Sequence, residues 1–361
     1  MSRIMGFIHD RLEANGHHVD YLTADHVSTK WQAGVGRRFA FPLIVRHTAD
    51  EAARNGRPYD IVNVHEPHAF PITVLRAAAG EPSVVITSHG LEHRAWGLVK
   101  EEARLSRQPV ALKTRLTYPP TSLWPTGIAL RMADHVFCLS ADDRDELVRS
   151  FGRNTDNTTR IFPGSDLVYV STNRDYSRAA RVLFAAAWRH NKGITDLVPA
   201  FTALAAQYDA LTLAIVGAGV PEAAIRAAFP QMMQRRLTIQ TPPTEAEMAS
   251  TFATADLFLL PSLFEGTPLT LIQAMMSGLP IVTTATCGMK DVIKDEETGL
   301  LIPVRSPEAI RAAVSRLVGD RQLRERLGRA AQATAVAKYT WDRVAQPIEE
   351  VYLRLKARIA A

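Results

Sequence analysis

The sequence is poor in several kinds of residue that would indicate particular classes of protein. Only two of its 361 residues are cysteines, Cys138 and Cys287, and both lie in apolar stretches. A disulfide framework or a cysteine metal site is therefore not expected, whereas a reducing compartment is. No apolar run approaches the length that crosses a bilayer, and the charges of Arg3, Asp10 and Arg11 argue against a signal peptide. We expect a cytoplasmic protein that is either soluble or peripheral to the inner face of a membrane.

Clustered charge is also lacking. The chain has 42 Lys and Arg residues against 37 Asp and Glu residues, which gives a formal net charge of +5. A nucleic-acid-binding face would need a dense basic cluster, so this mild excess favours small anionic ligands or a membrane surface instead. The length suits two domains, each large enough to bury its own core.

Apolar runs of strand length alternate with helical patterns along most of the chain, which predicts two α/β domains with parallel sheets. The predicted strands are 60–65, 83–88, 134–139 and 159–162 in the first half, and 182–187, 211–216, 237–241, 257–260, 281–286 and 300–303 in the second. We place a first domain at 1–165, a linker at 166–179, a second domain at 180–340 and a final helix at 341–361.

The beginning of the chain departs from the usual order of such a domain. Residues 2–14 carry Ile4, Ile8 and Leu12 on one helical stripe, and residues 18–23 are predicted as a strand. An α/β domain normally starts on a strand, so we expect the first domain to lack its first strand. Residues 27–43 show no clear period, and residues 72–79 are predicted as a helix.

Acidic residues are absent from one long stretch. Residues 104–131 contain five basic residues and no acidic one, with Tyr118 and Trp124 between them. The prolines at 119, 120 and 125 argue against one long helix over this stretch. The composition suits a solvated loop, which we favour, or a lip that contacts a membrane or an acceptor.

The most informative stretch is 257–275. An apolar strand ends at Pro and Ser, and Thr267 followed by Pro268 predicts the N-cap and first turn of a helix. Glu265 therefore lies in a tight loop at the carboxyl end of a parallel strand, beside Gly266, which allows a ligand or another backbone to approach closely.

The helix that follows this loop supplies further candidate ligand contacts. Its first turn, at Thr267, Leu269 and Thr270, has free N–H groups that suit an anion. Gln273 falls in the second turn, where its side chain either contacts a ligand or is a polar residue at the edge of an apolar helix.

A basic turn follows the first strand of the second domain. Residues 188–193 read Trp-Arg-His-Asn-Lys-Gly and precede a helix, so they lie at the same sheet edge as the Glu265 loop. Lys192 and Arg189 are then either solvated or available to an anion. Proximity to the Glu265 loop makes us favour the second interpretation.

The run Glu265-Gly266-Thr267-Pro268, with an apolar helix start and a polar residue eight positions after the Glu, resembles the donor-site signature of the family-four glycosyltransferases. The resemblance covers nearly the whole chain and is strongest from Val182 onward. It implies the GT-B fold, in which two Rossmann-like domains face a cleft and the last helix crosses back to the first domain. It also implies retaining transfer of a sugar from a nucleotide-diphosphate sugar, which is a co-substrate, with no metal or other cofactor.

The resemblance implies roles for individual residues of the second domain. Glu265 contacts the donor sugar, and Lys192 contacts the diphosphate. Gln273 stands where the family has a second Glu, so an amide replaces the carboxylate that binds the ribose hydroxyls. The arginine usually found five residues before the lysine is Ala187 here, which leaves Arg189 as the candidate guanidinium.

Two strand ends of the first domain carry histidines. His89, in Ser-His-Gly, matches a family His that approaches the donor sugar, and we assign it to the catalytic set with Glu265 and Lys192. The alternative for His89 is a structural strand-end cap. His65 and Glu66, at the end of the neighbouring strand, are acceptor-side candidates.

Two other motifs are weaker. The glycines of the run 216–219, Val-Gly-Ala-Gly, lack the third glycine and the acidic partner of a dinucleotide fingerprint, so we assign Gly217 only to a close turn beside the nucleotide. Asp143 and Asp145 lie two apart on a predicted helix and do not face together, so no metal site is predicted.

The expected function is therefore a glycosyltransferase that acts on a hydroxyl of a glycan, a lipid or a small molecule, as in polysaccharide or glycolipid biosynthesis. A catalytically weakened nucleotide-sugar binding protein is one alternative, favoured by Gln273 and Ala187. A sugar-nucleotide epimerase on the same fold is another. No nucleic-acid partner is expected, and the sequence does not determine the base, the sugar, the acceptor or the oligomeric state.

Overall fold

The structure is a computed structural model that describes residues 2–23, 34–74, 81–170, 173–240 and 244–360. The chain forms two compact units, one made of Met1–Phe162 with Val344–Ala361 and the other of Pro163–Arg343. Each unit contains one parallel sheet with helices between its strands. This is the predicted pair of Rossmann-like α/β domains.

The first unit has a four-stranded sheet of order β1-β2-β3-β4. Its strands are β1 (Ile61–His65), β2 (Ser83–Thr87), β3 (His135–Cys138) and β4 (Thr158–Arg160). The helices before and between them are α1 (Ser2–Ala14), α2 (Gly34–Arg54), α3 (Phe70–Val74), α4 (Glu92–Arg104), α5 (Leu112–Tyr118), α6 (Trp124–Met132) and α7 (Ala141–Phe151). Every residue of β2 and β3 is buried, as expected for central strands of a parallel sheet covered on both faces.

The second unit has a six-stranded sheet of order β10-β9-β8-β5-β6-β7. Its strands are β5 (Arg181–Ala185), β6 (Thr212–Val216), β7 (Leu237–Gln240), β8 (Leu257–Leu260), β9 (Ile281–Thr284) and β10 (Leu300–Ile302). The helices are α8 (Ile194–Gln207), α9 (Glu222–Arg226), α10 (Glu245–Thr254), α11 (Leu269–Met276), α12 (Cys287–Val292), α13 (Pro307–Gly319) and α14 (Arg321–Lys338), followed by α15 (Trp341–Ala360).

The last helix, α15, packs on the first unit. Its residues Ile348, Val351 and Leu355 are buried in one cluster with Val85 and Phe137 of the first sheet. The other face of that sheet is covered by a second cluster, which includes residues of α2, α6 and α7. Apolar side chains thus cover the first sheet on both faces.

The predicted strand at residues 18–23 is wrong, because the structure has no strand there. The segment is held by side-chain contacts and not by backbone hydrogen bonds to a neighbouring strand. The Tyr59 hydroxyl donates to Asp20 at 2.6 Å, and His9 Nε2 lies 3.2 Å from the Val19 carbonyl oxygen. In the described residues of the first unit, β1 is the first strand along the chain.

Helix α2 begins within residues 27–43, the stretch without a clear hydrophobic period. Its apolar positions Phe41, Val45 and Ala49 pack into the first core at intervals of four residues. This apolar stripe begins at Phe41, so residues 27–43 contain only its first member and show no period. The predicted helix 72–79 is observed as α3, and residues 75–79 lie outside the described residues.

The basic stretch contains a continuous helical run that the prolines do not interrupt. Helix α4 ends at Arg104, but α5, a π turn at Pro119–Leu123 and α6 follow one another without a break. The prolines lie in the π turn and the first turn of α6. A π turn bonds residues five apart and is wider than an α turn, so it tolerates the two adjacent prolines.

The described residues of the predicted linker, 166–170 and 173–179, are part of the second unit. Tyr169 and Tyr176 are buried, and the Arg174 guanidinium donates to the carbonyl oxygens of Phe252, Ala255 and Ser277 at 2.5–2.7 Å. Within the described part of the chain, no helix is both long enough and apolar enough to cross a bilayer.

Candidate functional site

The second sheet has a topological switch point between β5 and β8. From β5 the chain proceeds outward to β6 and β7, and from β8 it proceeds the other way to β9 and β10. In open parallel sheets the crevice at the carboxyl ends of two such strands is where ligands bind. The loops that follow β5 and β8 carry Lys192 and Glu265.

The loop after β5 ends in a close contact with the loop after β8. A short 3₁₀ turn, His190–Lys192, leads into Gly193, which has a φ of 75°. A Cβ at Gly193 would lie 1.9 Å from the Pro261 carbonyl oxygen. Only glycine allows both this left-handed conformation and this approach of the two loops.

The approach places a charged pair at the switch point. The Lys192 ammonium and the Glu265 carboxylate form an ion pair through Oε1, with both side chains largely buried. Ser262 donates its hydroxyl to the same oxygen at 3.1 Å, and the Leu263 N–H donates to the Asn191 carbonyl at 2.8 Å. The predicted convergence of Lys192 and Glu265 is therefore present in this unit.

A second glycine supports the far end of the Glu265 loop. The Gly288 N–H donates to the Gly266 carbonyl at 2.9 Å. A Cβ at Gly288 would lie 1.9 Å from that same oxygen and 2.3 Å from the Thr267 hydroxyl. The loop is thus held at both ends by glycines, Gly193 on one side and Gly288 on the other.

The helix after the loop starts one residue later than predicted. Its N-cap is Pro268, which has no side-chain donor or acceptor, so the prediction of Thr267 as the N-cap is wrong. Leu269 and Thr270 form the first turn and are partly exposed. The N-cap makes no side-chain hydrogen bond among the described residues, and the Leu271 N–H donates to the Pro268 carbonyl at 3.1 Å, so the N–H groups of Leu269 and Thr270 are the ones that suit an anion.

Gln273 lies inside the second unit and not at a helix edge. It is 4% exposed, and its Oε1 has no hydrogen-bond partner among the described residues. A buried carbonyl oxygen without a donor is costly, which would favour a donor such as a ribose hydroxyl.

Two weaker candidates also lie at this edge. Gly217 follows β6 with a φ of 68°, and the neighbouring Ala218 carbonyl accepts the Trp188 N–H at 2.7 Å, which joins the loops after β6 and β5. Arg189 is exposed, and its guanidinium has no partner within the described ranges. Its backbone carbonyl accepts the Lys192 N–H at 2.9 Å, but its guanidinium contacts none of the predicted residues in the described part of the chain.

The carboxyl edge of the first sheet brings His65 and His89 together. His65 Nδ1 lies 2.5 Å from His89 Nε2, and the rings stack with centroids 4.8 Å apart. Burial lowers the pKa of His65 to about 3, with a further contribution from His89, and lowers the pKa of His89 to about 4. Both rings are neutral at physiological pH, so one carries the proton of their shared hydrogen bond.

Glu66 has a structural contact that the sequence did not indicate. Its Oε1 accepts the Glu92 N–H at 3.0 Å and thereby caps the amino end of α4. Burial raises the pKa of Glu66 to about 7, although this hydrogen bond acts in the opposite direction. Its assignment to the acceptor side stays a prediction.

Ser262 and Gly288 were missed from the sequence although both contact predicted residues. Ser262 is fully buried directly after β8, where only its role as a strand terminator was considered. Gly288 follows β9, the strand next to β8 in the sheet. Because the carboxyl ends of neighbouring parallel strands share one edge, the position of Gly288 after the next predicted strand could have indicated that it lies near the Glu265 loop. The lack of a metal site stays a prediction. Within the described residues, no group of three or more His, Cys, Asp or Glu side chains could hold a metal ion.

Comparison with known proteins gives consistent matches over both units. A model of the glycosyl transferases group 1 matches residues 172–334, and a model of glycosyltransferase family 4 matches residues 3–169. The chain is 26% identical over 309 residues to a glycogen synthase of Mycobacterium tuberculosis, which covers 84% of this chain and 70% of that protein.

Solved structures show the same fold. A sucrose-phosphate synthase from Thermosynechococcus elongatus aligns with a TM-score of 0.71 and 22% identity, over 89% of this chain and 79% of that one. Anabaena HepE in complex with UDP-glucose aligns with a TM-score of 0.66 and 17% identity, over 95% and 87% of the two chains. At these identities the likeness shows the GT-B fold alone.

Proposed function

Because this chain belongs to the family 4, group 1 glycosyltransferases, we propose that it moves a sugar, of the hexose type, from a nucleotide-diphosphate sugar to a hydroxyl group with retention at the anomeric carbon. The acceptor class we propose is a glycan, a lipid or a small molecule. Neither a binding protein without activity nor an epimerase is favoured by the relatives.

The observation that carries the proposal is the ion pair of Lys192 and Glu265 at the switch point of the second sheet. A diphosphate brings more negative charge than one carboxylate, so it competes for the ammonium while the first N–H groups of α11 add further donors. Glu265 is then released toward the sugar, held in place by Ser262. This supplies fixed positive charge where the leaving phosphate develops negative charge.

The donor side of the proposal needs no metal ion, because Lys192 and backbone N–H groups supply the stabilising charge. The leaving phosphate accepts the proton of the attacking hydroxyl on the same face of the sugar, so no protein base is required. His89, which is neutral, donates or accepts a hydrogen bond at the sugar, and His65 and Glu66 serve the acceptor. Gly266, Thr267 and Gly217 let the donor approach the backbone.

We further propose a cytoplasmic location, which suits two buried cysteines, Cys138 and Cys287, that form no disulfide with each other. Anabaena HepE has been solved with UDP-glucose, and UDP-sugars are accordingly the first donors to test.

The experiment is a melting-temperature screen against UDP-, GDP- and ADP-sugars, followed by transfer assays with the donor that stabilises most. Stabilisation by one donor and glycosylation of an acceptor with retained configuration are expected. Donor binding without transfer or donor hydrolysis over broad acceptor panels would make the chain a binding protein, and conversion of the donor alone would make it an epimerase.

Gln273→Glu sharpens the donor assignment. A carboxylate accepts two ribose hydroxyls, so we expect donor affinity to rise by about tenfold. Calorimetry with the donor measures this, and Gln207→Glu, on the exposed end of α8, is the control. Unchanged affinity in a folded variant would show that Gln273 does not meet the ribose.

A further inference from the structure

The helical run from α5 to α6 leaves a row of large apolar side chains in water. Helix α5 buries none of its residues, whereas α6 buries Thr126, Gly127, Ala129 and Leu130 on its inner side. The exposed row, called the apolar ridge, consists of Leu112 (70% exposed), Leu116 (67%), Trp124 (68%), Ile128 (41%) and Met132 (45%).

The ridge is continuous because of its spacing. Its members are four residues apart, and exposed Pro120 occupies the single interval between Leu116 and Trp124. Residues four apart are neighbours on a helix, but in a straight α-helix such a row drifts around the axis. The wider π turn at Pro119–Leu123 rotates less per residue and reverses part of that drift. The result is an apolar face about 30 Å long that winds partly around the run, with Leu112, Leu116 and Trp124 the best aligned.

The charge along the ridge is of one sign. Lys113 and Arg115 are exposed on α5, and neither has an ion-pair partner among the described residues, whereas Arg107 is paired with Glu102. Residues 112–132 contain no acidic side chain. An anionic partner is therefore complementary to this surface.

The ridge also lacks the packing that normally stabilises such an element. Helix α5 buries none of its seven residues, and a contiguous exposed apolar row marks an interaction site on most proteins. The helix is thus suited to a surface that covers it.

We propose that the apolar ridge docks on a bilayer rich in anionic lipids, with the run lying in the plane of the interface. Leu112, Leu116 and Trp124 enter the boundary of the acyl chains, and Lys113 and Arg115 contact the headgroups. Trp at the interface and basic residues beside an apolar face are the features of helices that lie on membranes.

The ridge is joined to the carboxyl edge of the first sheet. Tyr118, between its two halves, stacks on Trp96 with ring centroids 4.7 Å apart and donates its hydroxyl to Glu92. The Glu92 N–H in turn donates to Glu66, which follows His65. If the proposed transfer reaction holds, docking places a lipid-borne hydroxyl near this edge, so the acceptor class is a glycolipid or lipid-linked sugar.

The test is co-sedimentation of the full chain with phosphatidylcholine vesicles that contain or lack phosphatidylglycerol, without any donor. We expect binding to the anionic vesicles that weakens as salt rises. Leu116→Gln with Trp124→Gln lowers the partition coefficient about thirtyfold, and Lys113→Gln with Arg115→Gln lowers it about tenfold. Leu167→Gln with Met232→Gln, which changes equally exposed apolar residues of the second unit, leaves it unchanged.

Circular dichroism and melting temperatures establish that each variant is folded. Absence of binding to anionic vesicles, or an equal loss in the control variant, overturns the proposal. A dimer in sedimentation equilibrium that dissociates in Leu116→Gln with Trp124→Gln also overturns it, since a second copy then covers the ridge. Because vesicle binding is measured without donor, its failure is distinct from failure of the transfer reaction.

Discussion

The carboxyl edges of the two sheets hold their ionisable groups in opposite ways. In the second unit, Lys192 and Glu265 form an ion pair, and the Ser262 hydroxyl donates to the same carboxylate. In the first unit, burial holds His65 and His89 neutral and raises the pKa of Glu66 to about 7. The comparison indicates that one edge exchanges its internal ion pair for an anionic ligand, while the other suits an uncharged hydroxyl.

The largest expected effect comes from breaking the charged pair. Glu265→Gln removes the carboxylate from the sugar but frees Lys192 for the diphosphate. We expect transfer to fall by about 10²–10³, as for loss of one catalytic hydrogen-bonding group, while binding of the nucleoside diphosphate stays equal or tightens. Steady-state kinetics measure the transfer rate, and calorimetry measures the affinity for the nucleoside diphosphate.

Lys192→Met distinguishes an anion site from a structural pair. Both transfer and diphosphate binding fall in this variant, because the ammonium is lost and Glu265 stays. Glu297→Gln, in an exposed ion pair with Lys294, serves as the control. Equal loss of diphosphate affinity in Glu265→Gln and Lys192→Met would mean that the pair only supports the loop.

A smaller effect is expected from moving the loop without touching its charges. In Gly288→Ala the new Cβ meets the Gly266 carbonyl oxygen, which displaces the Glu265 loop and costs about 1–3 kcal/mol of stability. We expect the donor KM to rise about tenfold, with a smaller change in kcat. Gly319→Ala is the control, because a Cβ there meets nothing within 4 Å, and we expect it to change neither the donor KM nor kcat.

The readout for Gly288→Ala is the ratio of its effects on donor and acceptor KM, measured below its melting temperature. A purely global loss of stability would change neither KM at such a temperature. An unchanged donor KM would show that the loop does not depend on Gly288.

The neutral edge is tested through the pH dependence of stability. The pKa of His65 is about 3 and that of His89 about 4 in the folded chain, against 6.5 when unfolded. The unfolded state therefore takes up protons first, and stability is lost as pH falls from 6.5 toward 4. We expect His65→Gln with His89→Gln to remove about 3 kcal/mol of this loss between pH 6.5 and pH 5, as measured by urea unfolding at several pH values. An identical slope in the variant would mean that the pair is not desolvated.

Sequence patterns predicted the second unit well because local and global signals agree there. The strand β8 is a fully buried apolar run, and carboxyl ends of parallel strands must share one sheet edge, so Lys192 and Glu265 could be placed together without coordinates. The same rule predicted that His65 and His89 follow neighbouring strands, which are β1 and β2.

Sequence patterns predicted less well where contacts between distant parts of the chain determine the local structure. The alternation in residues 18–23 is typical of a strand, yet no neighbouring strand pairs with it in the described residues. The prolines after Tyr118 argued against one long helix over residues 104–131, and the stretch is not one helix, but the break lies at residues 105–111 and a π turn accommodates the prolines. The fit of Gly288 against Gly266 depends on backbone distances between separate loops, which no local pattern contains.

The smallest effect is expected at Glu66, and it has the opposite sign to that of the histidines. Its folded pKa of about 7 lies above the unfolded value of 4.5, so its contribution to stability is full below pH 4.5 and is lost as pH rises through 7. Glu66→Gln keeps an oxygen for the Glu92 N–H but cannot ionise. We therefore expect its stability relative to the unmodified chain to increase by about 1 kcal/mol between pH 5 and pH 8.

Urea unfolding at both pH values measures this difference, with exposed Glu51→Gln of α2 as the control. A variant that is equally destabilised at the two pH values would show that Glu66 acts only as the cap of α4 and is already ionised at pH 5. In that case the first edge carries a fixed negative charge at neutral pH, and the contrast with the second edge would reduce to the two histidines.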